Sequence, residues 1–328
     1  MYKVLLYYFY TPIEDVDAKI EAHKRFMDAH HILGRVYLTE EGINGTVSGL
    51  DANIDAYKTY LSDDPLFNGI VFKESTHPAH TFKKIIVKNK NELVNLSLAD
   101  DVNPREITGR HIDPVEFHQR IHDPNTVIID ARNDYEYDMG HFKGALRPDI
   151  RTFRELPDWV RANKDKLAGK KIVAYCTGGV RCEKFTGWLK KEGYDDVGQL
   201  NGGIQTYGAH PDTQGEFWEG SMYVFDERIG MPINQVDPVI VSKDHYTNAP
   251  CDRMFNCANP QCNAQIFGTK ETQHAHLGGC SLYCSLHPLN RYAKLLDPAE
   301  KARIITRLKA PTQNPPMSRK NTPLEATT

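Results

Sequence analysis

KKIVAYCTGGVRCEKFTGWLKKEG, residues 170–193, opens with a short apolar, β-branched run from Ile172 to Tyr175 and closes with helical periodicity, Phe185, Trp188 and Leu189 sharing one face. Between strand and helix lies a loop that begins at Cys176. Its residues Thr177, Gly178, Gly179, Val180 and Arg181 can curl so that several backbone N–H groups point at the Cys176 sulfur, the glycines accepting dihedrals that other residues resist. The following helix adds the positive end of its dipole. Both effects favour a thiolate, which is the nucleophilic form. The competing reading of Cys176 is a buried core thiol, since free cysteine is among the most buried residue types. A strand-end cysteine followed by paired glycines and an arginine argues against it. Cys182, in the first turn of the helix, reads either as a packing residue or as a resolving thiol.

Four residues, Thr177 to Val180, separate Cys176 from Arg181. Cysteine phosphatases carry one more, which gives a bowl wide enough for a tetrahedral oxyanion. The narrower ring resembles that of rhodanese, whose loop holds a persulfide sulfur. VIIDARNDYEYDMGHFKGA at 127–145 resembles the rhodanese opening strand and signature, and LNGGIQTYG at 200–208 its closing turn. A rhodanese-like α/β domain with a parallel sheet is therefore expected over 113–220. Asp130 should end a strand at the same sheet edge as Cys176, where open α/β sheets place their sites. Arg132 and Glu136 are expected to pair there and orient the loop, although a solvated ion pair is as common. The insertion RPDIRTFRELPDWV at 147–160 carries Arg147, Arg151 and Arg154 beside aromatic residues. It reads as a surface for nucleotides or as an ordinary charged helix.

The 328 residues, 40% hydrophobic and 25% charged, suffice for two or three domains. A formal charge of −3 excludes a uniformly basic nucleic-acid binder and leaves local basic patches open. No apolar run is long enough to span a membrane and the start, MYKVLLYYFYTP, has no signal-peptide pattern, so a soluble, cytoplasmic protein with no membrane partner is expected. Residues 1–98 follow a βαββαβ order, read as a ferredoxin-like, acylphosphatase-like α+β domain with Asp51 capping its second helix and HTFKKIIVKNKNELV supplying its last strand. Lys83, Lys84 and Lys88 on that strand make a basic edge, which suits RNA phosphate and equally suits protection of an edge strand. Residues 99–112, with Pro104 and Gly109, read as a linker. Of the seven cysteines, five fall between 251 and 284, which fits metal binding in a reducing compartment better than disulfides. In the Cys-rich region 221–290, Cys257, Cys262, Cys280 and Cys284 form the candidate quartet for a structural zinc ion, the alternative being reduced thiols in a small core. A basic helix and a disordered end are expected over 291–328.

EEGINGTVSG at 40–49, GHFKGAL at 140–146, CTGGVRCEK at 176–184 and NCANPQCN at 256–263 occur together and in order. Over nearly its full length the chain resembles the bacterial rhodanese-domain tRNA uridine(34) hydroxylases. The resemblance implies an oxygen-dependent enzyme that places a 5-hydroxyl group on the wobble uridine, with molecular oxygen as co-substrate and the tRNA anticodon loop as partner. No flavin, haem or nucleotide-cofactor motif is evident. The family's tail often carries further CxxC pairs where this chain has Asp244, Thr247, Lys270 and Gln273, which points to one zinc site rather than two. Cys176 can add to C6 of the uracil, with the loop amides and Arg181 holding the base or a reactive oxygen species, or can itself be oxidised and pass the atom on. Two rival functions remain at this stage: a sulfurtransferase carrying a persulfide on Cys176, and a non-catalytic zinc- and RNA-binding scaffold.

Overall fold

In the computed structural model, which describes residues 1–310, the apolar run near the start forms β1 (Tyr2–Tyr10) and both of its faces are used. Leu5 and Tyr7 are fully buried against the helices, and by the period of two Leu6, Tyr8 and Tyr10 leave from the opposite face. The chain continues through α1 (Val16–Ala29), β2 (Leu33–Thr39), β3 (Gly42–Leu50), α2 (Asp51–Ser62) and β4 (Val71–His77). Asp15 caps α1, and Val16, Ile20, His23 and Met27 form its buried stripe. Strand order β4-β1-β3-β2 with antiparallel pairing gives the expected ferredoxin-like sheet.

Two details differ from the sequence reading. The fourth strand is 71–77, whose residues are exposed or half-exposed throughout, as befits an edge; the segment at 80–94 instead gives a fifth strand, β5 (Ile85–Asn89), parallel to β2 at the other edge. Asp51 does not cap α2. Leu50 is the capping residue and makes no side-chain bond, because β3 turns straight into the helix and leaves Asp51 already in the first turn.

His23 is buried against the rings of Tyr57 and Tyr60, and burial lowers its pKa to about 4. In the unfolded chain the imidazole titrates near 6.5, so between those values only the unfolded state takes the proton and stability falls with pH. The full loss is about 3 kcal/mol. Urea unfolding should show about 2 kcal/mol of that loss between about pH 7 and pH 5 for the native chain and a much smaller change for His23→Leu.

The stretch read as a linker is packed down. Val102 enters the next apolar core, Asp101 pairs with Lys184, and the last three residues are already a strand, β6 (Arg110–Ile112). There follow α3 (Pro114–Arg120), β7 (Thr126–Asp130), α4 (Asp134–Met139), β8 (Gly140–Phe142), α5 (Leu156–Ala162), α6 (Lys164–Leu167), β9 (Lys171–Tyr175), α7 (Val180–Lys191), β10 (Val197–Leu200) and α8 (Gly203–Ala209). The sheet runs β6-β10-β9-β7 and is parallel throughout. β9 sends Ile172 and Ala174 into one apolar cluster and Val173 and Tyr175 into the other, so it is buried on both faces as a parallel strand must be. β11 (Trp218–Tyr223) and β12 (Gly230–Pro232) join β8 in a small antiparallel sheet. The first compact unit accordingly extends to Pro238, beyond the boundary at 220 read from the sequence.

The second unit begins at Val239. It holds the hairpin β13 (Met254–Asn256) and β14 (Gln265–Phe267), then α9 (Lys270–Ala275), α10 (Leu282–Ser285) and the basic helix α11 (Pro298–Lys309), with Leu277, Ala293 and Ile304 buried together. The disordered end expected from the sequence falls beyond residue 310, outside the described residues. Among the described residues no helix is long and apolar enough to cross a membrane.

Candidate active site and metal centre

Cys176 follows the last residue of β9, and the loop from Thr177 to Gly179 closes around its sulfur. The Gly179 N–H donates to Sγ at 3.1 Å, and the Arg181 and Cys182 N–H groups add to it from the first turn of α7. Gly179 takes a φ of +106°, which a side chain would strain. Gly203, at a φ of +68°, lets the closing turn approach so near that an added Cβ would lie 2.4 Å from the Cys176 carbonyl oxygen. Burial opposes a thiolate here. The Cys182 thiol as donor, the Arg181 charge and the loop amides outweigh it and bring the Cys176 pKa down to about 5. Cys182 itself is fully buried and pushed well up, by burial first and then by Cys176, so it stays protonated.

Arg181 does not reach freely into the cradle. It forms two bonds to Glu136, at 2.7 and 2.9 Å, with a third to the Thr177 hydroxyl. Glu136 is fully buried and also accepts from the Asn133 N–H, which fixes the start of α4 against the loop. The expected Arg132–Glu136 pair is absent. Arg132 turns instead to Asp130, two residues away, at 2.6 Å, and to the Gly140 carbonyl, and Asp130 also accepts from the Tyr175 hydroxyl. Asp130 and Arg132 are thus a wholly buried brace under the sheet edge, while Glu136 serves the arginine of the loop.

The amino-terminal sheet supplies a wall that the sequence reading missed. Leu6 presses on Gly178 and Tyr8 on Gly179, so that an added Cβ would meet them at 2.7 and 2.8 Å. The Tyr8 hydroxyl donates to Glu183, and that of Tyr10 to the Val180 carbonyl. Lys184, fully buried, holds Glu41, Glu92 and Asp101 at 2.5, 3.1 and 2.7 Å. Lys73, opposite Leu6 in the β1–β4 register, lies over the Tyr8 ring at 5.1 Å. Burial lowers its amine to about 8, against the pull of Cys176 and Glu183. The available signal was β1 itself: a strand apolar on both faces needs a cover on both.

The RNA-contact candidates divide. Arg147 pairs with Asp138 and Asp149, Arg151 with Asp134, and Lys83 with Glu227. Lys84, Lys88 and Arg154 are exposed and have no ion pair among the described residues.

In the second unit the Sγ atoms of Cys257, Cys262, Cys280 and Cys284 lie within 4.8 Å of one another. Cys262 to Cys280 is 3.6 Å and Cys280 to Cys284 is 3.7 Å, too far for disulfides. Zn–S bonds of about 2.3 Å set tetrahedral sulfurs about 3.8 Å apart, so the quartet fits zinc. The Asn259 amide donates to the Cys284 sulfur and the Cys280 N–H to that of Cys257, as outer partners of metal thiolates do. The positions of the missing CxxC pairs hold no second thiol site. Asp244, buried, ties them together by accepting from the N–H groups of Tyr246, Thr247 and Thr269 and from the Thr272 hydroxyl.

Three family models match in order: a UPF0176 acylphosphatase-like domain over residues 2–93, a rhodanese-like domain over 113–210 and a rhodanese C-terminal region over 219–285. A Bacillus mycoides protein named tRNA uridine(34) hydroxylase is 55% identical over 291 residues, covering 89% of this chain and 91% of its own. A Shouchella clausii protein of the same name is 54% identical over 294 residues, with the same coverage. With identity of that level over 89% of this chain and 91% of each relative, and with all three family models matched in order, the chain belongs to the tRNA uridine(34) hydroxylase family.

Proposed function

We propose that this protein hydroxylates C5 of the wobble uridine of tRNA, with molecular oxygen as co-substrate and Cys176 as nucleophile. The observation that carries the reading is a thiol held at a pKa of about 5 in a ring of backbone N–H donors, within a chain so similar to enzymes of that name. At neutral pH the thiolate is available without a separate base. Its addition to C6 of uracil moves the C5–C6 π electrons toward O4 and makes C5 nucleophilic toward oxygen. One atom of O2 stays on C5 as the hydroxyl and the other leaves as water, which takes two electrons and two protons from an external two-electron donor such as a thiol reductant. Loss of the C5 proton and expulsion of the thiolate restore the ring. Arg181, held by Glu136, keeps the loop in shape and supplies positive charge beside the sulfur. The wobble base must leave its stack to reach the bottom of the loop, which costs little at an unpaired position.

The anticodon loop is the partner on this reading, the cytoplasm its place, and Lys84, Lys88 and Arg154 are phosphate contacts. A zinc ion on Cys257, Cys262, Cys280 and Cys284 has a structural role, cross-linking two loops of the second unit. Nucleoside mass spectrometry of tRNA from cells lacking the gene, with and without its restoration, tests the function. Loss and recovery of 5-hydroxyuridine and its derivatives is the expected result, and unchanged nucleosides together with a persulfide on Cys176 would instead identify a sulfurtransferase.

A further inference from the structure

Among the described residues Phe225 is the one exposed phenylalanine, 46% accessible where every other is buried or half-buried. Its ring lies 5.9 Å from the guanidinium of Arg181, the residue that braces the thiol loop. The Tyr223 ring meets it edge-on at 5.0 Å, and Tyr135, from the first turn of α4, meets Tyr223 edge-on at 5.3 Å. Burial and the nearby Glu136 push both tyrosines up, so their hydroxyls stay protonated. The turn that carries Phe225 is held down. Val224 donates to the Ile229 carbonyl, Arg228 binds Asp226 and the Ser75 hydroxyl, and the Glu227 N–H reaches the Thr81 carbonyl. An apolar ring is therefore fixed in solvent at the edge of the site rather than left on a loose loop.

Unpaired RNA bases are received on aromatic faces and arginine planes, and each such stack substitutes for the neighbour the base has lost. When a wobble uridine turns into a narrow loop, the base beside it loses a stacking partner. We propose that Phe225, backed by Tyr223 and Tyr135, is the shelf on which the base next to U34 stacks while U34 occupies the cradle. This rests on the tRNA reading and names the part of the protein that reads the loop. A ring kept only to cover Arg181 can be replaced by any apolar side chain of similar size, whereas a stacking shelf needs an aromatic face.

The test uses the full chain and an anticodon stem-loop RNA with 2-aminopurine on the 3′ side of U34, whose fluorescence drops on stacking. The native chain and Phe225→Trp should bind and quench. Phe225→Leu should bind about tenfold or more weakly and leave the fluorescence high at saturation. Binding and quenching by Phe225→Leu equal to the native chain would overturn the shelf alone. No binding of the stem-loop by the native chain would overturn the shelf and the tRNA reading together.

Discussion

Cys176→Ser is expected to remove 5-hydroxyuridine formation, by at least about a thousandfold in rate. The reason lies in what the loop can and cannot do. Backbone N–H groups at hydrogen-bond distance, the Cys182 thiol and the Arg181 charge bring a thiol to about 5. The same donors act on a serine hydroxyl that starts many units higher, so it stays neutral and attacks nothing. Nucleoside mass spectrometry of tRNA from cells that carry only the serine variant reads the outcome. Persistence of the hydroxylated nucleoside at native levels would remove Cys176 from the chemistry. A companion measurement isolates the ionisation. Because the folded pKa is lowered, the thiolate persists as pH falls toward about 5, so iodoacetamide should modify Cys176 at a nearly constant rate above about pH 6 and at half that rate near pH 5. A midpoint near the ordinary cysteine value of about 8.5 would mean that the cradle does not work as described.

What could be read from the sequence was what local chemistry determines. The strand, loop and helix around Cys176 are contiguous, and the turn at Gly202 and Gly203 closes them with residues whose backbone freedom is visible in the sequence. The wall formed by Leu6, Tyr8 and Lys73 was not legible, since it joins residues more than a hundred positions apart; the Tyr8–Glu183 bond spans 175. The wrong ion pair has a similar origin. Arg132 and Glu136 are near in sequence, but Asp130 on the same strand end reaches Arg132 first, and Arg181 arrives from another helix to take Glu136. β4 escapes a reading of the sequence because an exposed edge strand needs no apolar alternation, while the more apolar segment after it carries the stronger strand signal.

The other large effect belongs to the cysteine quartet. Replacing any one of Cys257, Cys262, Cys280 or Cys284 by serine should lower bound zinc from about one ion per chain to near none and unfold the second unit. The buried apolar side chains there are Leu277, Ala293 and Ile304, with Leu296, Ile305 and Leu308 packed on them, and Met254, Phe255 and Ile266 of the hairpin, in a unit that begins only at Val239. A core of that size in so short a segment is not expected to hold alone and needs a staple. Asp244 supplies one by hydrogen bonds, but it joins only the loops around 244–247 and 269–272. The loops bearing the thiols are also joined by hydrogen bonds, Ala258 N–H to the Gly278 carbonyl and the Asn290 amide to the Leu277 and Cys284 carbonyls, but each contributes only about 1 kcal/mol. Structural zinc contributes about 10–16 kcal/mol in small domains, more than most domains have to lose. Metal analysis and hydrogen exchange over residues 254–293 measure the two halves of the prediction. Cys251→Ser is the internal control, because Cys251 is buried but stands outside the quartet and should keep both zinc and protection. Full exchange protection in a quartet variant stripped of zinc would show that the fold of this unit does not depend on the ion.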